Sequence, residues 1–368
     1  MKVERIETVE SFAGLREEWN GLLERSASNC VFLTHEWLFT WWKHLGQGRR
    51  LSILTAREDG NLVGIMPAAV RAAQYARMMP RVVEFLGSGV IGSDYLDVML
   101  LPGHEREVTR AFGEQLHRSN LMLYLSQLRR GSSAASELAG QLQQHRWTVA
   151  ETKINICPFI KLAGHNWDSY LASVGSSHRY NFNRRLRNLM KGSGMRLECV
   201  QSPGEAQRAL EQVIALHCKR WGSRGTSEAF QTDAVVAFHR EFVERAANRG
   251  WLRLLILWLE NQPVAALYGL RYGETFYFYQ SGFDPAFTKQ SVGLVVMGLA
   301  IKAAIEEGVS EYDFLHGNEE YKFHWASDIR DLGRLELYPP HAQGRIYRRA
   351  IELNRAARQM AKRVLTKG

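Results

Sequence analysis

One order of secondary-structure elements occurs twice along this chain of 368 residues. In each copy, hydrophobic periodicity and turn residues predict a strand, two helices, three antiparallel strands, a helix, a strand, a helix and a final strand. Two such series predict an α/β (α+β) fold with two units, each a mixed central sheet flanked by helices. We place the first unit at 1–165, a basic helical connector at 166–194, the second unit at 195–340 and a basic amphipathic helix at 341–368.

Local sequence pattern also predicts the ranges of a helix, a hairpin and a buried strand. Ser11 to Ser26 carries apolar residues at helical spacing and is predicted as one helix. Leu51 to Arg57 and Leu62 to Ala72 are predicted as a hairpin across Asp59-Gly60. In the second unit, Tyr312 to Leu315 is predicted as a buried strand.

Positive charge is concentrated in two segments. The chain has 47 basic and 38 acidic residues, a net charge of +9. Residues 341–368 hold eight basic residues against Glu352 alone, and residues 178–196 hold six basic residues and no acidic one. The remainder is mildly acidic, which argues against a uniformly basic nucleic-acid surface. Each basic segment can still meet a polyanionic partner.

The cysteines and apolar runs exclude several classes of protein. No two of the four cysteines stand two to four residues apart, so the spacing of a zinc site is missing, and no metal is predicted. Four cysteines in a chain of this length do not make a disulfide scaffold, so reduced thiols in the cytoplasm are expected. The first residues lack the apolar core of a signal peptide. The longest apolar run, Val292 to Ile301, is too short to span a bilayer.

A candidate phosphate site lies where a strand gives way to the long apolar helix of the second unit. Free backbone N–H groups and the helix dipole at such a start bind phosphate oxygens. Gly293 allows close approach to the backbone, and Lys289 adds positive charge. The alternative is structural: Ser291 caps the helix and Gly293 eases packing.

The element order resembles the GCN5-related N-acyltransferase (GNAT) superfamily. In that superfamily, the pattern Gln/Arg-x-x-Gly-x-Gly/Ala at this strand–helix junction receives the pyrophosphate of acyl-CoA. Gln290 and Gly293 match the pattern, whereas Val295 replaces the small last residue. The resemblance implies that acyl-CoA is the co-substrate. The residues implied in its binding are Lys289, Gln290, Ser291, Val292, Gly293 and Leu294.

Further motifs narrow the resemblance over roughly residues 1–340 to the FemAB-like branch, and within it to BioF2-like or CelD-like proteins associated with cellulose and exopolysaccharide biosynthesis. The motifs are His35-Glu36-Trp37 with Trp41-Trp42, Asp94-Tyr95-Leu96-Asp97, Ser177-His178-Arg179 through Arg184-Arg185, Tyr312-Asp313-Phe314-Leu315-His316-Gly317, and Glu320-Tyr321-Lys322. The first unit lacks the Gln-x-x-Gly pattern before its third helix. It is therefore expected to shape the acceptor cleft and to have no cofactor site of its own.

Acyl transfer needs a base for the acceptor and an acid for the departing thiolate. The resemblance implies that Tyr321 protonates the CoA sulfur; the alternative is a packing tyrosine. His316 is a candidate base because its ordinary pKa is near 6.5, with Glu319 and Glu320 as competitors and a hydrogen-bonded loop histidine as the alternative. Asp313 lies in an apolar strand and needs a buried partner, for which we expect Lys322 or Arg179, either as a structural pair or as an amine-recognising site.

Residues near the second-unit sheet are candidates for acceptor binding. The basic segment 178–191 can hold a phosphorylated acceptor, the CoA 3′-phosphate or tRNA, or it can be a solvated linking helix. The aromatic strand 276–279 alternates between the sheet faces, so its rings line either the acceptor cleft or the core. The candidate substrate-binding residues are Arg179, Arg184, Tyr279, Ser281 and Lys322.

The C-terminal segment predicts an amphipathic helix with an apolar stripe among arginines. The stripe consists of Ile346, Ala350, Leu353, Ala357, Met360 and Val364. Such a helix over 345–367 can lie on an anionic membrane. Alternatively it docks on the body or on a second subunit, which the absence of Trp and Phe from the stripe favours.

The resemblance implies an acyltransferase, of the GNAT N-acetyltransferase type, that moves an acyl group such as acetyl to an amine or hydroxyl of a small molecule or saccharide. The acceptor that this resemblance implies is an exopolysaccharide or cell-envelope precursor. Two alternatives stay open: an aminoacyl-tRNA-dependent transferase of the FemAB type, for which tRNA is the one nucleic-acid partner, and a non-catalytic scaffold in polysaccharide assembly. We expect a monomer or homodimer in the cytoplasm or at the inner membrane surface.

Overall fold

The computed structural model describes residues 1–71, 81–131, 133–192, 194–222 and 229–365, with side chains up to residue 353. The strands are β1 Lys2–Ile6, β2 Arg49–Leu51, β3 Ile53–Glu58, β4 Asn61–Met66, β5 Ala68–Arg71, β6 Val82–Phe85, β7 Met99–Leu100, β8 Met122–Arg129, β9 Thr148–Lys161, β10 Arg196–Val200, β11 Leu252–Leu259, β12 Gln262–Tyr272, β13 Thr275–Phe283, β14 Glu311–Asp313 and β15 Asp328–Tyr338. The helices are α1 Val9–Gly14, α2 Arg16–Arg25, α3 His35–Leu45, α4 Glu105–Ser119, α5 Ala134–Gln144, α6 Trp167–Ser173, α7 Ser176–Gly192, α8 Pro203–Gly222, α9 Asp233–Asn248, α10 Val292–Glu306, α11 Glu320–Phe323 and α12 Ala342–Leu365. Short 3-10 helices span Val31–Leu33 and Pro285–Gln290.

The two units share one large sheet. Within the described residues its strand order is β10-β11-β12-β13-β14-β9-β15-β8-β6-β5-β2, and a smaller sheet has the order β1-β3-β4-β7. In both units a helix leads to a parallel strand: α4 lies between β6 and β8, and α10 lies between β13 and β14. The antiparallel pair β9–β15 joins the two units near the middle of the large sheet, because β9 of the first unit also pairs with β14 of the second, and β15 of the second unit also pairs with β8 of the first. The predicted α/β fold class is confirmed.

The strands of the first unit are divided between the two sheets. Pro67 interrupts the predicted strand Leu62 to Ala72, whose last residue lies outside the described part of the chain, because proline has no N–H for a ladder hydrogen bond. The predicted strand Leu51 to Arg57 divides at Ser52, whose amide donates to the Ala68 carbonyl at 3.0 Å. Both predictions of one continuous strand were therefore wrong.

Two further predicted elements have different bounds in the structure. The helix predicted over Ser11 to Ser26 is divided into α1 and α2 at Leu15. The strand predicted over Tyr312 to Leu315 is paired only as far as Asp313. Leu315 has φ +56°, a left-handed conformation that turns the chain out of the sheet.

The tryptophan motif of α3 joins the first unit to helix α9 of the second. The Trp37 ring is fully buried, with its centroid 4.9 Å from that of Phe238 and 4.7 Å from that of Phe242. Beside it, the buried Glu36 carboxylate accepts a hydrogen bond from Arg249 at 2.8 Å. Burial of these aromatic rings favours the association of the two units.

The connector helix α7 packs against α10. A Cβ atom at Gly298 would lie 2.2 Å from the Phe182 ring, so only glycine permits this close approach. α7 is thereby placed over the second unit and contributes residues to the cleft described next. No helix in the described residues has the length and apolar character needed to cross a membrane.

Candidate active site

A cleft opens where β13 and β14 diverge. The parallel pairing ends at Tyr277 and Asp313, while β13 continues to Phe283. The resulting space has a volume of about 470 Å³. It is lined by His178, Asn181, Arg220, Ser281, Gly282, Phe283, Thr288, Ser291, Val292, Gly293, Leu294, Val296, Met297, Tyr321, His324 and Trp325.

The N-terminus of α10 forms one side of this cleft. The amides of Leu294 and Val295 both donate to the Ser291 carbonyl, so helix geometry leaves the amides of Val292 and Gly293 for a ligand. The first turn of α10 contains no acidic residue. Val295, which departs from the family pattern, is fully buried in the core and does not line the cleft.

The predicted cofactor residues divide between two sites. Ser291, Val292, Gly293 and Leu294 line the cleft. Lys289 and Gln290 instead line a neighbouring groove of about 400 Å³. In this groove the Arg185 guanidinium donates to the Lys289 carbonyl at 2.6 Å. The structure therefore brings only part of the predicted segment to the cleft.

The cleft is positive in character. None of its described lining residues is acidic, and the Arg220 guanidinium lies over the rings of Phe283 at 5.1 Å and Tyr321 at 6.0 Å. Arg220 also donates to the Ser281 hydroxyl at 3.4 Å. A guanidinium together with a helix N-terminus favours an anionic ligand.

His178 contributes a neutral imidazole to the cleft. Burial, and then the neighbouring His324, lower its pKa to about 4. Its ring stacks on His324 with 5.1 Å between centroids, and its Nε2 atom is buried without a partner among the described residues. The ring also packs edge-on against Trp325, with 4.4 Å between centroids.

Tyr321 lies in the cleft, at the start of α11. Burial raises the pKa of its phenol above the ordinary value of 10. The hydroxyl consequently stays protonated at neutral pH, which is the form that a proton donor must have. The role as acid remains a prediction.

His316 forms a pair with Asp94 of the first unit. The Nδ1 atom lies 2.8 Å from Oδ1 of Asp94, and the His316 amide donates to Oδ2 at 2.8 Å. The Asp94 side chain is fully buried, whereas that of His316 is 35% exposed. The Asp94 charge raises the pKa of His316 against the opposing effect of burial. With its proton held at Nδ1, the imidazole keeps the Nε2 lone pair to accept another.

Asp94 is delivered by a first-unit loop at 87–95. Gly87, Gly89 and Gly92 all have positive φ, which lets this loop turn tightly beside the second unit. Trp37 donates to the Ser93 hydroxyl at 2.9 Å and so anchors the loop next to Asp94. The Tyr279 hydroxyl donates to the Ile91 carbonyl. The loop therefore contacts both diverging segments, at Tyr279 after the last β13–β14 pair and at His316.

Asp313 is buried with partners other than those predicted. Its carboxylate accepts hydrogen bonds from the Tyr95 hydroxyl at 2.7 Å and from Arg330 at 3.2 Å. Burial raises its pKa to about 7, although Tyr95 and Arg330 act in the opposite direction. The expected partners Lys322 and Arg179 were wrong, because Lys322 bonds to the His316 carbonyl and to Glu319, and Arg179 caps the Ala172 carbonyl. Arg330 of β15, which is separated from β14 by β9 in the sheet, reaches Asp313 instead.

The other predicted site residues lie at separate places in the structure. The Glu320 side chain is 91% exposed and lies 4.0 Å from His324. Arg184 is exposed and rests over the Tyr180 ring. Lys322 is buried beneath His316, Ser281 lines the cleft, and Tyr279 is held by the first-unit loop. His316 is not among the residues that line the cleft, whereas Tyr321 is.

Sequence reasoning gave no role to Asp94 or Arg220. Asp94 stands 222 residues before His316, so spacing within one sequence could not connect them. Its place in the motif Asp94-Tyr95-Leu96-Asp97, which the family resemblance had singled out, was the available signal. Arg220 ends an ordinary amphipathic helix and carried no signal at all.

Comparisons with known proteins agree with this fold. Residues 176–323 match the family model described as an acetyltransferase (GNAT) domain. No curated protein sequence matches the chain. The crystal structure of FemX superimposes with a TM-score of 0.63 at 11% identity, covering 91% of this chain and 97% of FemX. L-PGS from Bacillus licheniformis superimposes with a TM-score of 0.53 at 12% identity, covering 88% and 90%.

A third similar structure is the C-terminal domain of a putative lysylphosphatidylglycerol synthetase from Agrobacterium fabrum, with a TM-score of 0.54 at 8% identity over 90% of this chain and 94% of that one. At such identities the likeness establishes the fold. The chain therefore has a GNAT-like acyltransferase fold, within which residues 176–323 match a GNAT-type acetyltransferase domain.

Proposed function

We propose that this protein transfers an acyl group, such as acetyl, from acyl-CoA to a hydroxyl or amine of a small molecule or saccharide. The observation that carries the proposal is the divergence of β13 and β14, with an acid-free cleft at the start of α10 and the Asp94–His316 pair just beyond the end of β14. A cationic cleft suits a phosphate-rich donor, and an exposed imidazole backed by a carboxylate suits proton removal from an acceptor.

In the proposed mechanism the pyrophosphate of acyl-CoA binds at the amides of Val292 and Gly293. Nε2 of His316 removes the proton from the acceptor as its oxygen or nitrogen attacks the thioester carbonyl. Asp94 stabilises the imidazolium that forms. The C–S bond then breaks, and the thiolate receives a proton from the Tyr321 hydroxyl.

Calorimetry with acetyl-CoA and with longer acyl-CoAs tests the donor. We expect binding by at least one of them, because the cleft offers two amides and Arg220 to an anion. Absence of binding by all of them would contradict the proposal.

Gly293→Leu provides the matching variant. Its Cβ lies 3.3 Å from the Phe283 ring, so a leucine side chain must occupy the entrance of the cleft or displace Phe283. We expect at least a tenfold loss of acyl-CoA affinity. Gly140→Leu is the control, since Gly140 also lies in a helix and a Cβ there meets nothing within 4 Å. A scaffold without catalytic function would bind no acyl-CoA in either form.

The second candidate function is aminoacyl-tRNA-dependent transfer, which the FemAB-like resemblance implies. The fold shared with FemX and the basic surface of α7 favour it. Binding of tRNA should then fall steeply with salt, because phosphate contacts release counterions. Filter binding measures the affinity for bulk tRNA between about 50 and 200 mM salt. A steep fall in this affinity would favour tRNA-dependent transfer over transfer that needs only acyl-CoA.

The proposed acceptor class comes from the resemblance to proteins of exopolysaccharide biosynthesis. Glucosamine offers both an amine and hydroxyls, and N-acetylglucosamine offers hydroxyls alone. Mass spectrometry of reactions with these two sugars and acetyl-CoA measures which group is acylated. An ester is cleaved by hydroxylamine, whereas an amide is stable.

A further inference from the structure

The C-terminal helix α12 presents two different faces. Toward the body, Ile351 packs against the small cluster of Val82, Met122 and Tyr338. The helix is brought close to the end of β15 at Gly344, where a Cβ would lie 2.2 Å from the Pro339 carbonyl oxygen. α12 therefore has a contact with the folded body that does not use the predicted apolar stripe.

The stripe instead faces solvent. Ile346 is 63% exposed and Leu353 is 71% exposed, and a separation of seven residues places them on the same side of a helix. Ala350, between them, is also exposed. The stripe residues Ala357, Met360 and Val364 lie outside the part of the chain whose side chains are described. In the described part, the prediction that the stripe docks on the body was wrong, because Ile351 occupies that position.

Basic residues flank the exposed stripe. Arg345 and Arg349 are exposed on its border, and residues 341–368 hold eight basic residues against Glu352 alone. That glutamate is paired with Arg348 at 2.8 Å, so it does not offset the charge beside the stripe. An apolar strip bordered by arginines is complementary to a surface that is anionic outside and apolar beneath.

We propose that α12 docks this protein on an anionic phospholipid bilayer, with Ile346 and Leu353 inserted at the level of the headgroups. A second copy is a poorer occupant, because a symmetric contact through the stripe would bring Arg345 and Arg349 of both copies together. A nucleic acid would use the arginines but would gain nothing from the exposed Ile346 and Leu353. The proposal is independent of the acyl-transfer chemistry.

Vesicle sedimentation with the full chain tests the proposal. We expect at least tenfold more protein on vesicles of phosphatidylglycerol and phosphatidylcholine than on vesicles of phosphatidylcholine alone, and a decrease at high salt. The double variant I346D/L353D should lose at least tenfold in binding. Its folding is checked by circular dichroism and thermal unfolding, which should be unchanged because both side chains are exposed.

Met190→Asp is the matched control. Met190 is 65% exposed on α7, the other basic helix. The variant therefore shows whether replacing any exposed apolar residue among arginines lowers vesicle binding to the same extent. We expect it to retain binding. The proposal is overturned by absence of vesicle binding, by binding that survives in I346D/L353D, or by equal loss in M190D. A wild-type dimer that I346D/L353D dissociates would assign the stripe to a second copy and would also overturn it.

Discussion

Helices α4 and α10 hold equivalent places in the two units, but their first turns differ in charge. α4 begins with Glu105, whose carboxylate accepts a hydrogen bond from the Gly103 amide at 2.9 Å, and Glu107 follows in the same turn. α10 begins without an acidic residue, and its Val292 and Gly293 amides face a cleft. Carboxylates at a helix N-terminus occupy the position that a phosphate would otherwise take.

The comparison shows that two similar units contribute different groups to one candidate site. The first unit has acidic residues in the first turn of α4, and it supplies Asp94 through a loop that contacts the second unit. The second unit supplies the cleft and His316. Neither unit alone contains the carboxylate–imidazole pair, so the candidate chemistry depends on their association.

The largest effect is expected from His316→Ala. Removal of a general base lowers kcat by about 10² to 10⁴-fold, while acyl-CoA affinity should stay the same because His316 lies outside the cleft. The measurement is release of the CoA thiol from acetyl-CoA, with water as the acceptor. His165→Ala, an exposed histidine, should leave the rate unchanged. A rate in H316A equal to that of the wild-type protein would show that His316 is not the general base.

Asp94→Asn tests the contribution of the first unit. Asp94 raises the pKa of His316 above 6.5, so the wild-type rate should rise as the pH rises through that higher value and the imidazole becomes a free base. Without the carboxylate charge, the acid limb of the kcat profile should move to lower pH, and the plateau should fall by about tenfold because the base is weaker. A loss of rate with no movement of the limb would indicate a purely structural role for Asp94.

A charge added to α10 tests the difference between the two helix starts. Leu294→Glu gives α10 a first-turn carboxylate like that of α4, so we expect acyl-CoA affinity to fall by about tenfold. Leu294→Gln has nearly the same shape without the charge and should bind within a few-fold of wild type. Calorimetry with acetyl-CoA measures both. Glu105→Gln should have no effect, and a gain of affinity there would place an anion site in the first unit.

The smallest effect is expected from Tyr95→Phe, which removes one hydrogen bond between the units. The buried Asp313 carboxyl then loses the donor at 2.7 Å, and the free energy of unfolding should fall by about 1–3 kcal/mol. Urea unfolding measures it. Tyr180→Phe is the control, because Tyr180 is 61% exposed. Equal stability of the two variants would mean that water replaces the Tyr95 hydroxyl without cost.

Some of the candidate site was accessible from local pattern. The helix start at Ser291 to Leu294 follows from a loop that precedes a long apolar helix, and these four residues do line the cleft. Lys289 and Gln290 were misplaced, because the 3-10 helix Pro285–Gln290 turns them toward the neighbouring groove. A one-residue change of direction in such a turn cannot be taken from spacing alone.

The sequence by itself determined the duplicated order of elements, the apolar start of α10, and the apolar stripe of α12 among basic residues. These features depend on periodicity and helix-end chemistry, which act over a few residues. The tertiary structure decided what those elements meet. Pairing of β9 with β14 and of β15 with β8 merges the two units into one sheet. That merger brings Asp94 to His316 and Arg330 to Asp313, contacts that no local pattern contains because they depend on strands that are distant along the chain.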